Sequence, residues 1–84
     1  MSNVTKNRDE AHSALRRVFQ DVFDDDELEI SDGMARDSFP AWDSLGHIRL
    51  VTATEEAFGI SFTIEEIEAM TSVGRVVDSI LEKV

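Results

Sequence analysis

Trp42-Asp43-Ser44-Leu45-Gly46 sets a hydroxyl beside a carboxylate at the start of an apolar-periodic segment. Asp43 or Ser44 fits the N-cap of a helix that runs to Phe58, because a short side-chain oxygen there accepts from free N–H groups of the first turn. Those same N–H groups, at the positive end of the helix dipole, would seat a phosphate ester on the Ser44 hydroxyl. Residue types alone do not separate the two uses, and caps are the commoner.

Other chemistry is poorly supported. A serine hydrolase would place its nucleophile in Gly-x-Ser-x-Gly on a strand-to-helix turn; here Trp42 holds the first Gly position, and Ile60 to Ile64 is the only strand-like segment. His12 and His47 are not in a His-Glu-x-x-His pairing, and each reads as a surface or boundary residue with no role. With no cysteine there is no disulfide, thiol nucleophile or Cys-ligated metal. Counting back five from Gly33 puts Leu28 and Ile30 at the first and third ligand positions of a calcium loop, so no metal ligand is assigned.

The elements that position Ser44 follow from periodicity. Ala11, Leu15, Val18 and Val22 recur at helical spacing, widened by Ala14, Phe19 and Phe23, with Asn7 as N-cap and Glu10 its reciprocal partner. This first helix spans about 8–23 and stops where Asp24-Asp25-Asp26-Glu27 meets the negative end of its dipole. A connection from Asp24 to Asp43 follows, long enough to need its own anchors, and Leu28, Ile30, Met34 and Phe39 supply them. Helix two covers 44–58 and ends at Gly59. Its core face is read as Ile48, Val51 and Phe58, with Leu50, Thr54 and Ala57 beside them; Leu45, Arg49, Thr52 and Glu56 form the opposite ridge.

Ile60, Phe62 and Ile64 alternate with Ser61 and Thr63, but one short strand without a partner is not stable. The segment is therefore an extended link into a Thr63-x-x-Glu66 capping box, opening a short helix over 64–70 that carries Ile64, Ile67 and Met70. Thr71 or Ser72 caps the last helix, 72–83, with Val73, Val76, Val77, Ile80, Leu81 and Val84 on one stripe. The fold class is all-α: a small four-helix bundle, three longer helices and one short, in a single domain over 1–84.

Eight basic residues against eighteen acidic ones give a net charge of −10. Asp21 to Asp32 holds seven acids and no base, which excludes nucleic acid as a partner and favours basic ones. No apolar run is long enough to span a bilayer, and MSNVTKNRDE lacks the apolar stretch of a secretory signal. A cytoplasmic protein without membrane contact is the expectation.

Asp43-Ser44-Leu45, followed by Ile48, Leu50, Val51, Glu55-Glu56 and Phe58, then Thr71, Val73, Val77 and Ile80, resembles the acyl carrier protein family. The resemblance is strong from Phe39 to Leu81 and diffuse over helix one. It implies that Ser44, flanked by Asp43 and Leu45, receives 4′-phosphopantetheine from coenzyme A through a phosphopantetheinyl transferase, and that acyl groups ride on the arm as thioesters. It further implies a monomeric non-enzyme whose Leu45, Arg49, Thr52, Glu55 and Glu56 meet acyl-loading and acyl-processing enzymes with basic docking patches.

Arg49 stands where fatty-acid carriers usually have an acid, and Gly46-His47 replaces a more polar, acidic pair. The segment Trp42 to Ile48 looks more like the discrete carriers of polyketide and other specialised pathways, and the chain reads as free-standing. A peptidyl or aminoacyl carrier is disfavoured, since those usually place Gly shortly before the Ser where this chain has Trp42-Asp43. An unmodified acidic adaptor for a basic partner explains the charge but not Ser44 beside an exposed Leu45. Thr54 on the inner arc suggests an unpartnered hydroxyl that would exclude long saturated chains and favour short or polar cargo; the alternative is a bond back to the Leu50 carbonyl.

Overall fold

The structure, a computed structural model, describes residues 7–84. Part of the stretch read as lacking a secretory signal therefore lies outside the described residues. Among the described residues four α-helices follow one another: α1 Arg8–Val22, α2 Ser44–Phe58, α3 Ile64–Ala69 and α4 Val73–Lys83. Among the described residues there is no strand, and no helix is long and apolar enough to cross a membrane.

Each helix starts where a side chain can satisfy its free N–H groups. Asn7 accepts from the Glu10 N–H at 2.8 Å, Asp43 from Gly46 at 2.8 Å, Thr63 from Glu66 at 3.1 Å and Ser72 from Arg75 at 3.3 Å. Glu66 reaches back to the Thr63 N–H at 2.8 Å, completing the expected capping box. The backbone hydrogen bond from Thr63, and next the neighbouring Lys83 ammonium, hold the Glu66 carboxyl below its ordinary pKa. α1 ends at Val22, with Phe23 as C-cap and Asp24 in the left-handed region at φ 53°. α2 ends on Gly59, left-handed at φ 66°, as its C-cap requires.

The buried stripe of α1 is Ala11, Leu15, Val18 and Phe19, and that of α4 is Val73, Val76, Val77 and Ile80. Leu50, Val51, Met70, Ile30 and Trp42 close the core between them. Each fully buried aliphatic side chain contributes roughly 1.5–3 kcal/mol, so these stripes hold the bundle together.

The connection between α1 and α2 is pinned, as its length demands. Ile30 is buried, while Leu28, Met34 and Phe39 pack partly buried against the core. The sequence reading did not foresee its attachment to α4. The Met34 carbonyl accepts from Val73 N–H at 2.8 Å and the Asp32 carbonyl from Gly74 N–H at 3.0 Å, so two free donors of α4's first turn are satisfied by the loop. Arg8 adds ion pairs to Asp32 at 3.1 Å and Asp78 at 2.7 Å. A 3₁₀ turn, Arg36–Ser38, then leads the chain toward Asp43, with the Arg36 N–H donating to the Thr71 carbonyl at 3.1 Å.

Two assignments on α2 are corrected. Ile48 is 62% exposed and Ala57 is exposed, whereas His47 is only 5% exposed. At 3.6 residues per turn the buried side is centred on His47, Leu50, Val51, Thr54 and Phe58. Treating His47 as polar left it off the inferred core face, which otherwise kept Leu50, Val51, Thr54 and Phe58, and put Ile48, ~100° further round the helix, in its place. The Thr54 hydroxyl is buried but partnered, donating to the Leu50 carbonyl at 2.7 Å. The premise that an unpartnered Thr54 excludes long apolar cargo is thereby overturned.

Candidate functional site

Ser44 is the first residue of α2 and is exposed, and Leu45 beside it is 65% exposed. The other side of the same turn is fixed. Asp43 accepts from the Gly46 N–H on one carboxylate oxygen and from the His47 N–H on its carbonyl, each at 2.8 Å. Gly46 is buried against the loop; a Cβ built there would lie 2.5 Å from the Ala41 carbonyl oxygen and 3.1 Å from the Phe23 ring. Only glycine allows that approach.

Beneath the turn lies a polar link that the sequence reading missed. The Trp42 indole N–H donates to His47 Nδ1 at 2.8 Å, and His47 Nε2 lies 2.9 Å from the Ile67 carbonyl oxygen. An indole nitrogen is only a donor, so Nδ1 accepts, and the ring proton sits on Nε2 and donates to Ile67. His47 is therefore held neutral, and burial is the main cause that pushes its pKa below the ordinary histidine value, with Arg36 nearby acting in the same direction. Trp42 is itself fixed by an edge-on contact with Phe19, ring centroids 5.2 Å apart. The link ties the start of α2 to the middle of α3. A legible signal existed: a donor-only Trp five residues before a His that completes an apolar stripe.

A surface depression of about 390 Å³ adjoins Ser44, lined by Arg36, Asp37, Pro40, Trp42, Asp43, Ser44 and Thr71. Leu45, Arg49, Thr52 and Glu56 all lie exposed along α2, and the corrected helix phase adds Ile48 to that ridge. Arg49 also reaches back to the Val22 carbonyl at 3.3 Å, placing a cation at the negative end of α1. Glu55 is half-buried beside Thr52 and Glu56, its carboxylate accepting from the Phe62 N–H at 2.8 Å and fastening the link between α2 and α3. His12 lies apart from this region, 3.5 Å from an Asp32 carboxylate oxygen.

Neither protein-family models nor curated proteins give a match to this chain. Among solved structures, the solution NMR structure of a holo acyl carrier protein from Geobacter metallireducens superposes with a TM-score of 0.80. The two sequences are 32% identical, over 87% of this chain and 84% of that one. A shared helical order could arise by fold alone, but identity at this level over nearly the whole of both chains joins fold to sequence. The chain belongs to the acyl carrier protein family.

Proposed function

We propose that this carrier holds acyl groups as thioesters on a 4′-phosphopantetheine arm esterified to Ser44 and presents them to separate biosynthetic enzymes. The observation that carries this reading is an exposed hydroxyl on the first turn of α2, free on its solvent side while Asp43, Gly46 and His47 fix the turn behind it. The residues present fit the arm: the first-turn N–H groups of Ser44 and Leu45 precede the capped one at Gly46, and the adjoining depression has polar and apolar walls.

Loading forms a bond from Ser44 Oγ to the phosphorus that carries pantetheine in coenzyme A. The anhydride P–O bond to adenosine 3′,5′-bisphosphate breaks, and the hydroxyl proton leaves to a base of the phosphopantetheinyl transferase. The bound arm supplies a terminal thiol for thioester chemistry. The chain's own residues anchor and display: α2 fixes the point of attachment, and Leu45, Ile48, Arg49, Thr52 and Glu56 form the face on which partner enzymes dock. Exposed apolar residues next to charges suit short-lived contacts, where a few central side chains carry most of the binding energy.

Incubation with coenzyme A, magnesium and a broad-specificity phosphopantetheinyl transferase should add one phosphopantetheine mass, and Ser44→Ala should abolish the gain. An unmodified wild type under conditions that load a control carrier would refute the assignment. Labelling that persists in Ser44→Ala would move the site elsewhere.

A further inference from the structure

We propose, resting on the Ser44 reading above, that Arg36 is a phosphate-positioning residue whose guanidinium pairs with the phosphodiester of the arm on Ser44. Arg36 sits in the 3₁₀ turn before α2, and its backbone is anchored by the N–H bond to the Thr71 carbonyl. Arg36 is half-buried and lines the same depression as Ser44. Its charge also reaches this end of α2, where it acts on His47.

The charges around it make the case. In a chain of net charge −10, Arg8, Arg16 and Lys83 each pair with a carboxylate, while among the described residues Arg17, Arg36, Arg49 and Arg75 form no ion pair, and of these four Arg36 alone lines the depression beside Ser44. The other ionisable residues lining the depression are Asp37 and Asp43, both acids, and Asp43 is already engaged as the cap of α2. A phosphodiester monoanion attached at Ser44 therefore enters a negative field in which Arg36 is the cation of the lining. A guanidinium presents a planar fork of donors matched to two phosphate oxygens, which a point charge does not. Pairing there would hold the root of the arm against the wall formed by Pro40, Trp42 and Thr71 and leave the thiol end free.

The test compares apo and holo protein, wild type and Arg36→Gln, with loading of each sample verified by mass. In the wild type the Arg36 Nε–Hε resonance should move on loading, and its exchange with water should slow by up to about fivefold, the range of a partly exposed ion pair. The 31P resonance of the holo wild type should differ from that of holo Arg36→Gln, and the difference should shrink in about 1 M salt, where the Debye length is about 3 Å. The Nε–Hε measurement needs no substitution, so a folding defect in the variant does not obscure the result. An Arg36 resonance unmoved in fully loaded wild type, with matching 31P spectra, would overturn the proposal while leaving Ser44 modification standing. A wild type that cannot be loaded would overturn the Ser44 reading and this proposal with it.

Discussion

Trp42→Phe keeps an aromatic ring in the core but deletes the indole N–H that His47 Nδ1 accepts at 2.8 Å. His47 cannot recover by switching tautomer, because its Nε2 proton is committed to the Ile67 carbonyl at 2.9 Å. One buried acceptor is left unsatisfied, at a cost of about 1–3 kcal/mol, and the smaller ring loses some packing in addition. For a domain of this size each kcal/mol lowers Tm by roughly 4–8 °C, so a fall of ~10 °C or more is expected by thermal circular dichroism. A double-mutant cycle with His47→Leu separates the bond from the packing. The double variant should be more stable than the sum of the single losses by about 1 kcal/mol, since removing both partners leaves neither one unsatisfied. Additivity within about 0.3 kcal/mol would refute the reasoning.

The same link sets a pH dependence with a definite sign. Folded His47 has its pKa below the ordinary value of 6.5, so the unfolded chain takes up a proton first as pH falls. Its contribution to stability is complete above about pH 6.5 and is lost as pH drops toward the folded value. The stability difference between wild type and His47→Leu should therefore narrow from about pH 7.5 to about pH 5.5. Trp42→Phe should flatten the dependence, since Nδ1 is then free to accept a proton. A wild type whose advantage over His47→Leu widens on acidification would contradict a neutral, buried His47.

Gly46→Ala should destabilise the domain by about 1–3 kcal/mol in urea unfolding, despite a gain of about 1 kcal/mol in helix propensity, because the Ala41 carbonyl is backbone and cannot swing away. Wild-type stability in this variant would show that the loop yields freely. Leu45→Ala and Ile48→Ala should each weaken association with a cognate enzyme by about fivefold or more, with melting temperatures nearly unchanged, whereas Glu56→Lys should chiefly slow association and lose its effect at high salt. Loss of helicity in either apolar variant would show that the side chain is a core contact.

Where the fold depends on contacts a few residues apart, the sequence was a sufficient guide. The stripes of α1 and α4 and the caps at Asn7, Asp43, Thr63 and Ser72 are local, and helical spacing or a side chain three residues from its N–H partner specifies them. The attachment of the long loop to α4 is not local: Met34 and Asp32 meet Val73 and Gly74 through backbone carbonyls, which carry no side-chain signature. His47 failed for a different reason. Periodicity sorts residues as apolar or polar, and a histidine whose ring nitrogens are both satisfied packs as though apolar. That one sorting error also misplaced Ile48, and with it part of the exposed apolar ridge.

The two sides of α2's first turn meet opposite demands. A tethering hydroxyl must be open to a transferase and later to several enzymes, so Ser44 and Leu45 face solvent. A displayed arm is useful only if its root stays fixed, and exposed residues at a helix start have few contacts with which to fix it. The burden falls on the neighbours one and two residues on. Gly46 presses against the Ala41 carbonyl, and His47 joins Trp42 below to Ile67 across. Rigidity is thus imposed from the buried side on a residue that is itself exposed. This is why the substitutions expected to disturb Ser44 most, at Trp42, Gly46 and His47, leave its own hydroxyl chemically intact.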